Sequence, residues 1–244
     1  MLAHQKLSFL TTINYVYKSS SKVTSTTNTT NTDTKTKTNN DNNDKYKAQK
    51  RKRINSMPWL YDIEKHFVHH NEWQRAWQRN LMDMETIEFI GDDIFISDDR
   101  MSIFAEPSRA IVIKDHARIA TNCYLHGPIN VDEFVSINQG CHFEGGKKGI
   151  SIGKNTRIGP NTSMFAFNHS FDCLEIPIRE QKVSSRGIEI GEDVWIGANC
   201  SIVDGVVIGS SAVIGIASVV TKDVPEFEIW AGNPARKIGH RRKE

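Results

Sequence analysis

The sequence of 244 residues lacks any apolar run that approaches the roughly 18 residues needed to cross a bilayer. Residues 1–18 contain no acidic residue, but they are too polar and too poorly flanked for a convincing secretory signal. The four cysteines include no CxxC pair, which argues against a disulfide framework and against a cysteine zinc site. These absences predict a cytoplasmic protein with reduced thiols and no membrane partner, with a weak organelle-targeting peptide as the alternative.

Charges of the two signs are distributed unevenly along the chain. Residues 1–56 carry 11 Lys and Arg against 3 Asp and Glu, whereas residues 57–244 carry 20 against 26. The stretch Ser19–Asp44 is almost entirely Ser, Thr, Asn, Asp and Lys, and it cannot bury enough apolar surface to offset the entropy of ordering it. We therefore predict a disordered arm over residues 1–56. Its basic stretch Lys45–Arg53 is interpreted as a solvated linker, with a nucleic-acid-binding or nuclear-localisation patch as the less favoured alternative.

Residues 57–86 are predicted to form a helical cap. Pro58 suits a first helical turn, and apolar residues follow it at helical spacing: Leu60, Ile63, Phe67, Trp73, Ala76, Trp77, Leu81 and Met84. No metal site is predicted at the three histidines of this segment, which lack carboxylate or cysteine partners at ligand spacing: His66, His69 and His70. The next residues, 86–111, predict short strands that form an irregular first layer of the following domain.

From Ile113 onwards a bulky apolar residue recurs at every sixth position, apart from two interruptions. Fifteen residues, which we call the comb residues, follow this spacing: Ile113, Ile119, Leu125, Val131, Ile137, Phe143, Ile152, Ile158, Met164, Ile190, Ile196, Ile202, Ile208, Ile214 and Val220. A period of six fits neither a helix nor a hairpin sheet, but it fits a triangular coil whose sides are short strands with the apolar residue inward. Glycine follows many comb residues, which indicates a small residue at each corner. Three hexads make one coil, so the sequence predicts an all-β domain over residues 87–240, a parallel β-helix of about five coils.

The longer interruption is the stretch "MFAFNHSFDCLEIPIREQKVSSRG", from Met164 to Gly187. Residues 164–169 complete one hexad, and residues 170–189 add 20 positions before the comb resumes at Ile190. Because 20 is not a multiple of six, we predict a loop over residues 170–189 that leaves the prism at a corner and returns to it. Loops carried on a rigid scaffold often hold functional residues. His169, at the last place of its hexad, is therefore either a hydrogen-bonded histidine in a loop elbow or a catalytic residue.

Three short blocks carry a family resemblance, and they are VWIG (194–197), VVTKD (219–223) and AGNPA (231–235). Together with the comb, they identify a resemblance to the hexapeptide-repeat acyltransferases over about residues 111–242. Within that family the chain is most similar to the maltose and galactoside O-acetyltransferases and to the sugar O-acetyltransferases of polysaccharide synthesis. The resemblance implies a left-handed parallel β-helix, a homotrimer with active sites shared between neighbours, and acetyl-CoA-dependent O-acetylation of a small, carbohydrate-like acceptor.

The same resemblance implies roles for individual residues. His169 is expected to be the general base that takes the proton of the acceptor hydroxyl during direct transfer, a task that suits an imidazole with a pKa near 6.5. The backbone N–H of Ala198 is expected to stabilise the oxyanion. The remaining expected residues are Asn138 and Trp195 for the acceptor and Ala198, Ala217, Thr221, Lys222 and Arg236 for acetyl-CoA.

Departures from the family pattern leave the acceptor open. Ile216 replaces a small residue near the coenzyme channel, and Gly145 and Gly146 replace acidic residues of the galactoside enzymes. One alternative is an N-acetyltransferase acting on an amino sugar, and another is a non-enzymatic β-helix used as an assembly module. A zinc enzyme of the γ-carbonic-anhydrase type is disfavoured, because its three candidate ligands take different places in their hexads and should not line one edge: His116, His126 and His142. No metal is therefore predicted.

Overall fold

The computed structural model describes residues 39–64, 68–83, 87–90, 92–106 and 108–242. The Ser/Thr/Asn-rich part of the predicted arm, up to residue 38, lies outside these residues. The chain divides into two units, residues 1–41 and residues 42–244, and every contact described below belongs to the second.

Three helices precede the sheets: α1 (Asn39–Ser56), α2 (Trp59–Glu64) and α3 (Val68–Asp83). Helix α1 falls within the segment that the sequence predicts to be disordered. Near its end, however, Ile54 is fully buried, and the Arg51 guanidinium pairs with Asp98 and lies 4.3 Å from the ring centroid of Trp73. The packed body therefore begins before residue 56. Composition alone missed this because it counts Arg51 as a solvated charge, whereas here the side chain contacts an aromatic ring.

The body consists of six coils, and each coil contributes one strand to each of three parallel sheets. Sheet A contains β1 (Ile87–Ile90), β4 (Ile111–Lys114), β7 (Ile129–Val131), β10 (Ile150–Ile152), β15 (Ile188–Ile190) and β18 (Val207–Ile208). Sheet B contains β2 (Phe95–Ile96), β5 (Arg118–Ile119), β8 (Ser136–Ile137), β11 (Arg157–Ile158), β16 (Trp195–Ile196) and β19 (Val213–Ile214), followed by β21 (Glu228–Ala231) and the antiparallel β22 (Arg236–His240). Sheet C contains β3 (Ser102–Phe104), β6 (Tyr124–His126), β9 (His142–Glu144), β12 (Ser163–Phe165), β17 (Ser201–Val203) and β20 (Val219–Val220).

The comb residues form the interior, which confirms the predicted parallel β-helix. All fifteen are at most 3 % exposed, and neighbouring coils pair comb residue with comb residue, as in Ile119 with Ile137 and Ile158 with Ile196. The structure has six coils rather than the five that the comb predicts. The additional first coil was visible only as short strands, because the residues in register with the comb there, Phe89, Ile96 and Ile103, are not spaced by six.

The glycines that follow comb residues serve a different purpose from the predicted one. The corners use the third residue after a comb residue, which has a positive φ in successive coils: His116, Asn122, Phe134, Gly140, Asn155, Asn161, Asp193, Asn199, Ser211 and Ala217. A Cβ on Gly159 would instead lie 2.5 Å from the backbone nitrogen of Ala198, and one on Gly197 would lie 2.7 Å from that of Ile216. These glycines therefore permit the close approach of neighbouring coils, and the turn itself is made two residues later.

The long interruption is an ordered excursion between β12 and β15. It starts with an antiparallel pair, β13 (Asn168–His169) and β14 (Val183–Ser184). Gln181 closes the segment, because its Nε2 donates to the carbonyl oxygens of Cys173, at 2.7 Å, and Ile176, at 3.1 Å. The coil resumes at Ile188, two residues before its comb residue. Five apolar side chains of the excursion are exposed: Phe171, Leu174, Ile176, Ile178 and Val183.

All four cysteines are free thiols; Cys123, Cys141 and Cys200 are buried, and Cys173 is exposed on the excursion. Within the described ranges, no helix has the length and apolar character needed to cross a bilayer.

Candidate functional site

A cleft of about 590 Å³ lies between α2 and the outer face of sheet B. We call it the sheet B cleft. Its lining includes a row of side chains that directly precede comb residues in successive strands: Arg118, Ser136, Arg157 and Trp195. Because side chains alternate along a strand, a residue next to an inward comb residue faces outward. The position of these residues in the repeat therefore explains the lining of the cleft.

The two residues expected to bind the acceptor, Asn138 and Trp195, both line this cleft. Trp195 is 45 % exposed, which leaves much of its indole face free for contact. Asn138 has a structural contact as well, because its Nδ2 donates to the carbonyl oxygen of Ile158 at 2.8 Å. The carboxamide is therefore held in place by the next coil. The structure brings these two predicted residues together.

Most charges of the cleft are paired inside the protein. The Arg118 guanidinium, only 7 % exposed, binds Asp62 at 2.5 Å and Asp93 at 3.0 Å. The carboxylate of Asp193 lies 2.9 Å from Nη1 of Arg241. These pairs join the helical cap and the C-terminal hairpin to sheet B.

His169 lies elsewhere, on β13 at the far edge of sheet C, and it does not belong to the lining of the cleft. The imidazole is exposed and stands in edge contact with Phe167, with a distance of 6.0 Å between ring centroids. Within the part of the chain that the structure describes, its ring makes no hydrogen bond. Strands of three residues at about 3.3 Å each put roughly 10 Å of sheet C between the two regions. One chain therefore does not combine His169 with the cleft.

A row of rings covers the outer face of sheet C and ends at His169. Neighbouring centroids along this row are 4.3 to 6.4 Å apart, and its members are Phe104, Tyr124, His126, His142, Phe165, Phe167 and His169. Such distances are typical of stacked and edge-to-face aromatic pairs. The row links the catalytic candidate to the neighbouring coils on one continuous surface.

A carboxylate lies within this row. Oε2 of Glu144 is 2.9 Å from Nδ1 of His126, and Oε1 is 3.6 Å from Nε2 of His142. Burial raises the pKa of the Tyr124 hydroxyl, and the negative charge of Glu144 raises it further. The sequence argument missed this cluster because it compared places within hexads. The residues directly before and after a comb residue both face outward, so His142 and His126 meet on one sheet although their places differ.

His116, the third histidine considered as a zinc ligand, lies apart from this cluster. Its Nδ1 is 3.1 Å from Asp93, and its ring stacks on Phe134 at 4.4 Å between centroids. Among the described residues, no group of three or more His, Cys, Asp and Glu side chains is arranged to hold a metal ion.

Two residues expected at the coenzyme site share the corner between sheets B and C. The backbone N–H of Ala217 donates to the carbonyl oxygen of Ala198 at 2.9 Å. The N–H of Ala198 itself has no backbone acceptor within the described residues. The same is true of Gln139 and Ile216, which occupy equivalent positions, so a free donor is a property of this corner and not of Ala198 alone.

The other expected coenzyme residues are exposed near the end of the last coil. Thr221 and Lys222 directly follow β20, and Arg236 begins β22. The backbone N–H of Val219 donates to Gly232 at 2.9 Å and that of Ala235 to Val219 at 2.8 Å, which places the AGNPA turn beside β20. The three side chains are thus brought to one end of the prism, next to the corner that holds Ala217.

Comparison with known proteins is consistent with this architecture. Residues 187–222 match the family model "Hexapeptide repeat of succinyl-transferase". A protein named as an acetyltransferase in Schizosaccharomyces pombe is 37 % identical over 95 residues, which are 36 % of this chain and 42 % of that protein. The chain thus spans less than half the length of this curated relative. The galactoside O-acetyltransferase of Escherichia coli is 30 % identical over 141 residues, covering 54 % of this chain and 68 % of that protein.

Among solved structures, the N-acyltransferase AntD of Bacillus cereus, in complex with dTDP-4-amino-4,6-dideoxyglucose and coenzyme A, is similar with a TM-score of 0.60. Its sequence is 25 % identical, and the match covers 68 % of this chain and 90 % of that one. The extent of the match to the galactoside enzyme, the repeat model and the shared coils agree. The chain therefore belongs to the hexapeptide-repeat acetyltransferase family.

Proposed function

We propose that the protein transfers the acetyl group of acetyl-CoA to a hydroxyl of a small, sugar-like acceptor. The observation that carries the proposal is the exposed imidazole of His169 at the edge of the prism, at the base of the ordered excursion. The named activities of the relatives and the coenzyme A bound to AntD support the donor.

In this reaction neutral His169 accepts the proton of the acceptor hydroxyl while the oxygen attacks the thioester carbonyl carbon. The backbone N–H of Ala198 donates to the oxyanion. Collapse of the intermediate breaks the C–S bond, and the imidazolium returns the proton to the leaving thiolate. General base catalysis of this kind contributes typically about 10²- to 10⁴-fold. The acetyl group passes directly between the two substrates, without an acyl-enzyme.

Coenzyme A would lie along the corner of Ala198 and Ala217 towards Thr221. Lys222 and Arg236 would pair with its phosphates, as cations of this kind do. Both side chains are exposed, and neither forms an ion pair within the described residues.

A homotrimer would complete the site. Asn138 and Trp195 line the sheet B cleft of one chain, whereas His169 stands across sheet C at the opposite edge. If the His169 edge of one copy faces the cleft of the next, the base and the acceptor-binding residues meet. This arrangement follows from the separation of the two regions within one chain.

N-acetylation of an amino sugar is the second candidate function. The likeness to AntD favours it, because that N-acyltransferase was crystallised with a dTDP-linked amino sugar. An amine and a hydroxyl need the same general base, so the site residues do not change.

Incubation with labelled acetyl-CoA and pooled sugars and amino sugars, followed by mass spectrometry, tests the proposal. We expect acetylated product, and mild alkali removes an O-acetyl ester but not an N-acetyl amide. A metal chelator is expected to leave the rate unchanged, since no metal is proposed. Absence of both product and calorimetric binding of acetyl-CoA would overturn the proposal in favour of an assembly module. A cytosolic location stays a prediction from the unpaired cysteines.

A further inference from the structure

The sheet B cleft contains one charged side chain that the protein leaves unengaged. Arg157 lines the cleft between Ser136 and Trp195, its partners in the neighbouring strands. It is exposed, and it makes no hydrogen bond or ion pair with any residue that the structure describes. A guanidinium has five N–H donors and stays charged at every relevant pH, so this side chain can bind an anion.

The other charged residues of the cleft do not compete for this role. Asp62 and Asp93 bind Arg118, and His116 contacts Asp93 as well. The carboxylate of Asp193 accepts from Arg241 at 2.9 Å and from the hydroxyl of Ser211 at 3.1 Å. The acids of the cleft are thus engaged with partners other than Arg157.

The walls around Arg157 are aromatic. Trp59 is 53 % exposed, Trp195 is 45 % exposed and Phe134 is 46 % exposed, and all three line the cleft. Exposed aromatic faces with a few polar groups are typical of small-molecule sites. A planar guanidinium among them matches the geometry of a phosphate or carboxylate, which it binds through two parallel hydrogen bonds.

We propose that Arg157 is the centre of a subsite for an anionic group, a phosphate or a carboxylate, carried by the acceptor. The inference rests on the proposed acetyl transfer and narrows its substrate class to anionic sugars. Arg157 determines which acceptor binds, and it does not touch the reacting atoms. A neutral sugar in the same cleft would leave the guanidinium to water alone.

The test compares three pools as acceptors for labelled acetyl-CoA: neutral hexoses, the same hexoses as 6-phosphates, and the corresponding uronic acids. We expect kcat/KM for one anionic pool to exceed that for the neutral pool about tenfold to 100-fold, as for a charge-assisted hydrogen bond. The phosphate and uronate arms identify the anion. Arg157→Gln should abolish this preference while the rate with neutral hexoses stays unchanged, and Arg157→Lys should retain part of it because it keeps the charge but not the fork.

Arg79→Gln is the matched control, since Arg79 is an exposed arginine of α3 outside the cleft and loses the same charge. Equal or faster reaction with neutral hexoses, or an anion preference that survives in Arg157→Gln, would overturn the inference and leave acetyl transfer standing. If no pool is acetylated, calorimetric titration with the two anionic pools decides, and absence of binding to the wild type overturns it. Dissociation of the oligomer in Arg157→Gln, measured by sedimentation, would also overturn it, because Arg157 would then serve a contact between copies.

Discussion

The outer faces of sheets B and C adjoin at one corner of the prism, yet they differ in chemistry. On sheet B, charged and aromatic side chains enclose a cleft beneath α2, and Arg157 remains unengaged there. On sheet C, rings form an open row that ends at the exposed imidazole of His169. The inward residues of both sheets are the same kind of buried aliphatic or aromatic side chain. The repeat thus constrains the interior, while the outward positions are free to acquire different functions.

The largest effect is expected when the sheet C edge is removed and the cleft is left intact. His169→Ala should lower kcat by about 10²- to 10⁴-fold through loss of the general base. Binding of acetyl-CoA and the melting temperature should stay unchanged, since the ring is exposed and makes no hydrogen bond within the described residues. Transfer of labelled acetyl, calorimetry and thermal unfolding measure these three quantities. His240→Ala removes another exposed histidine as a control, and a wild-type rate in His169→Ala would contradict the assignment.

Interior and exterior can be compared on a single strand, β8. Ile137→Ala removes a fully buried comb residue between Ile119 and Ile158 and should lower the free energy of unfolding by about 2–5 kcal/mol. Ser136→Ala changes the neighbouring outward position and should stay within about 0.5 kcal/mol of the wild type. Denaturant titration measures both variants. Similar losses in the two would refute the division between a structural interior and a functional exterior.

The close approach of coils near the cleft gives a smaller effect. A Cβ at Gly159 would lie 2.5 Å from the backbone nitrogen of Ala198, so Gly159→Ala must displace the backbone of the next coil. We expect a loss of about 1–3 kcal/mol, as for overpacked sites. Gly239→Ala is the control, because the nearest atom there is 3.6 Å away. Chemical denaturation that ranks the two variants equally would contradict the stacking argument.

The smallest effect concerns the carboxylate within the sheet C row. Glu144→Gln removes the charge that helps to raise the pKa of the Tyr124 hydroxyl, so this pKa should fall towards its ordinary value. Burial remains and keeps the pKa somewhat above that value. Difference spectra against a Tyr124→Phe variant, recorded during alkaline titration, isolate this hydroxyl. An unchanged midpoint would show that Glu144 exerts no electrostatic influence on the row.

The interior of the molecule could be predicted from the sequence because each comb residue obeys a local rule. Where the spacing departs from six, as between Ile96 and Ile103, the coil was not counted. The exterior was less accessible to prediction, since its contacts join distant segments. The Arg118–Asp62 pair depends on how the helical cap docks, and no periodicity encodes that. Asn138 and Trp195 fell in one cleft as the resemblance implied, whereas Arg157 was visible only once its lack of a partner could be seen.

The most direct test of the account asks whether the sheet C edge and the sheet B cleft act together across copies. His169→Ala and Trp195→Ala chains are co-expressed with different tags, and oligomers that contain both are purified. Each variant alone should transfer acetyl slowly, and the mixed oligomers should recover part of the wild-type rate, because some sites combine an intact edge with an intact cleft. A mixed rate no higher than the mean of the two variants would contradict the shared site.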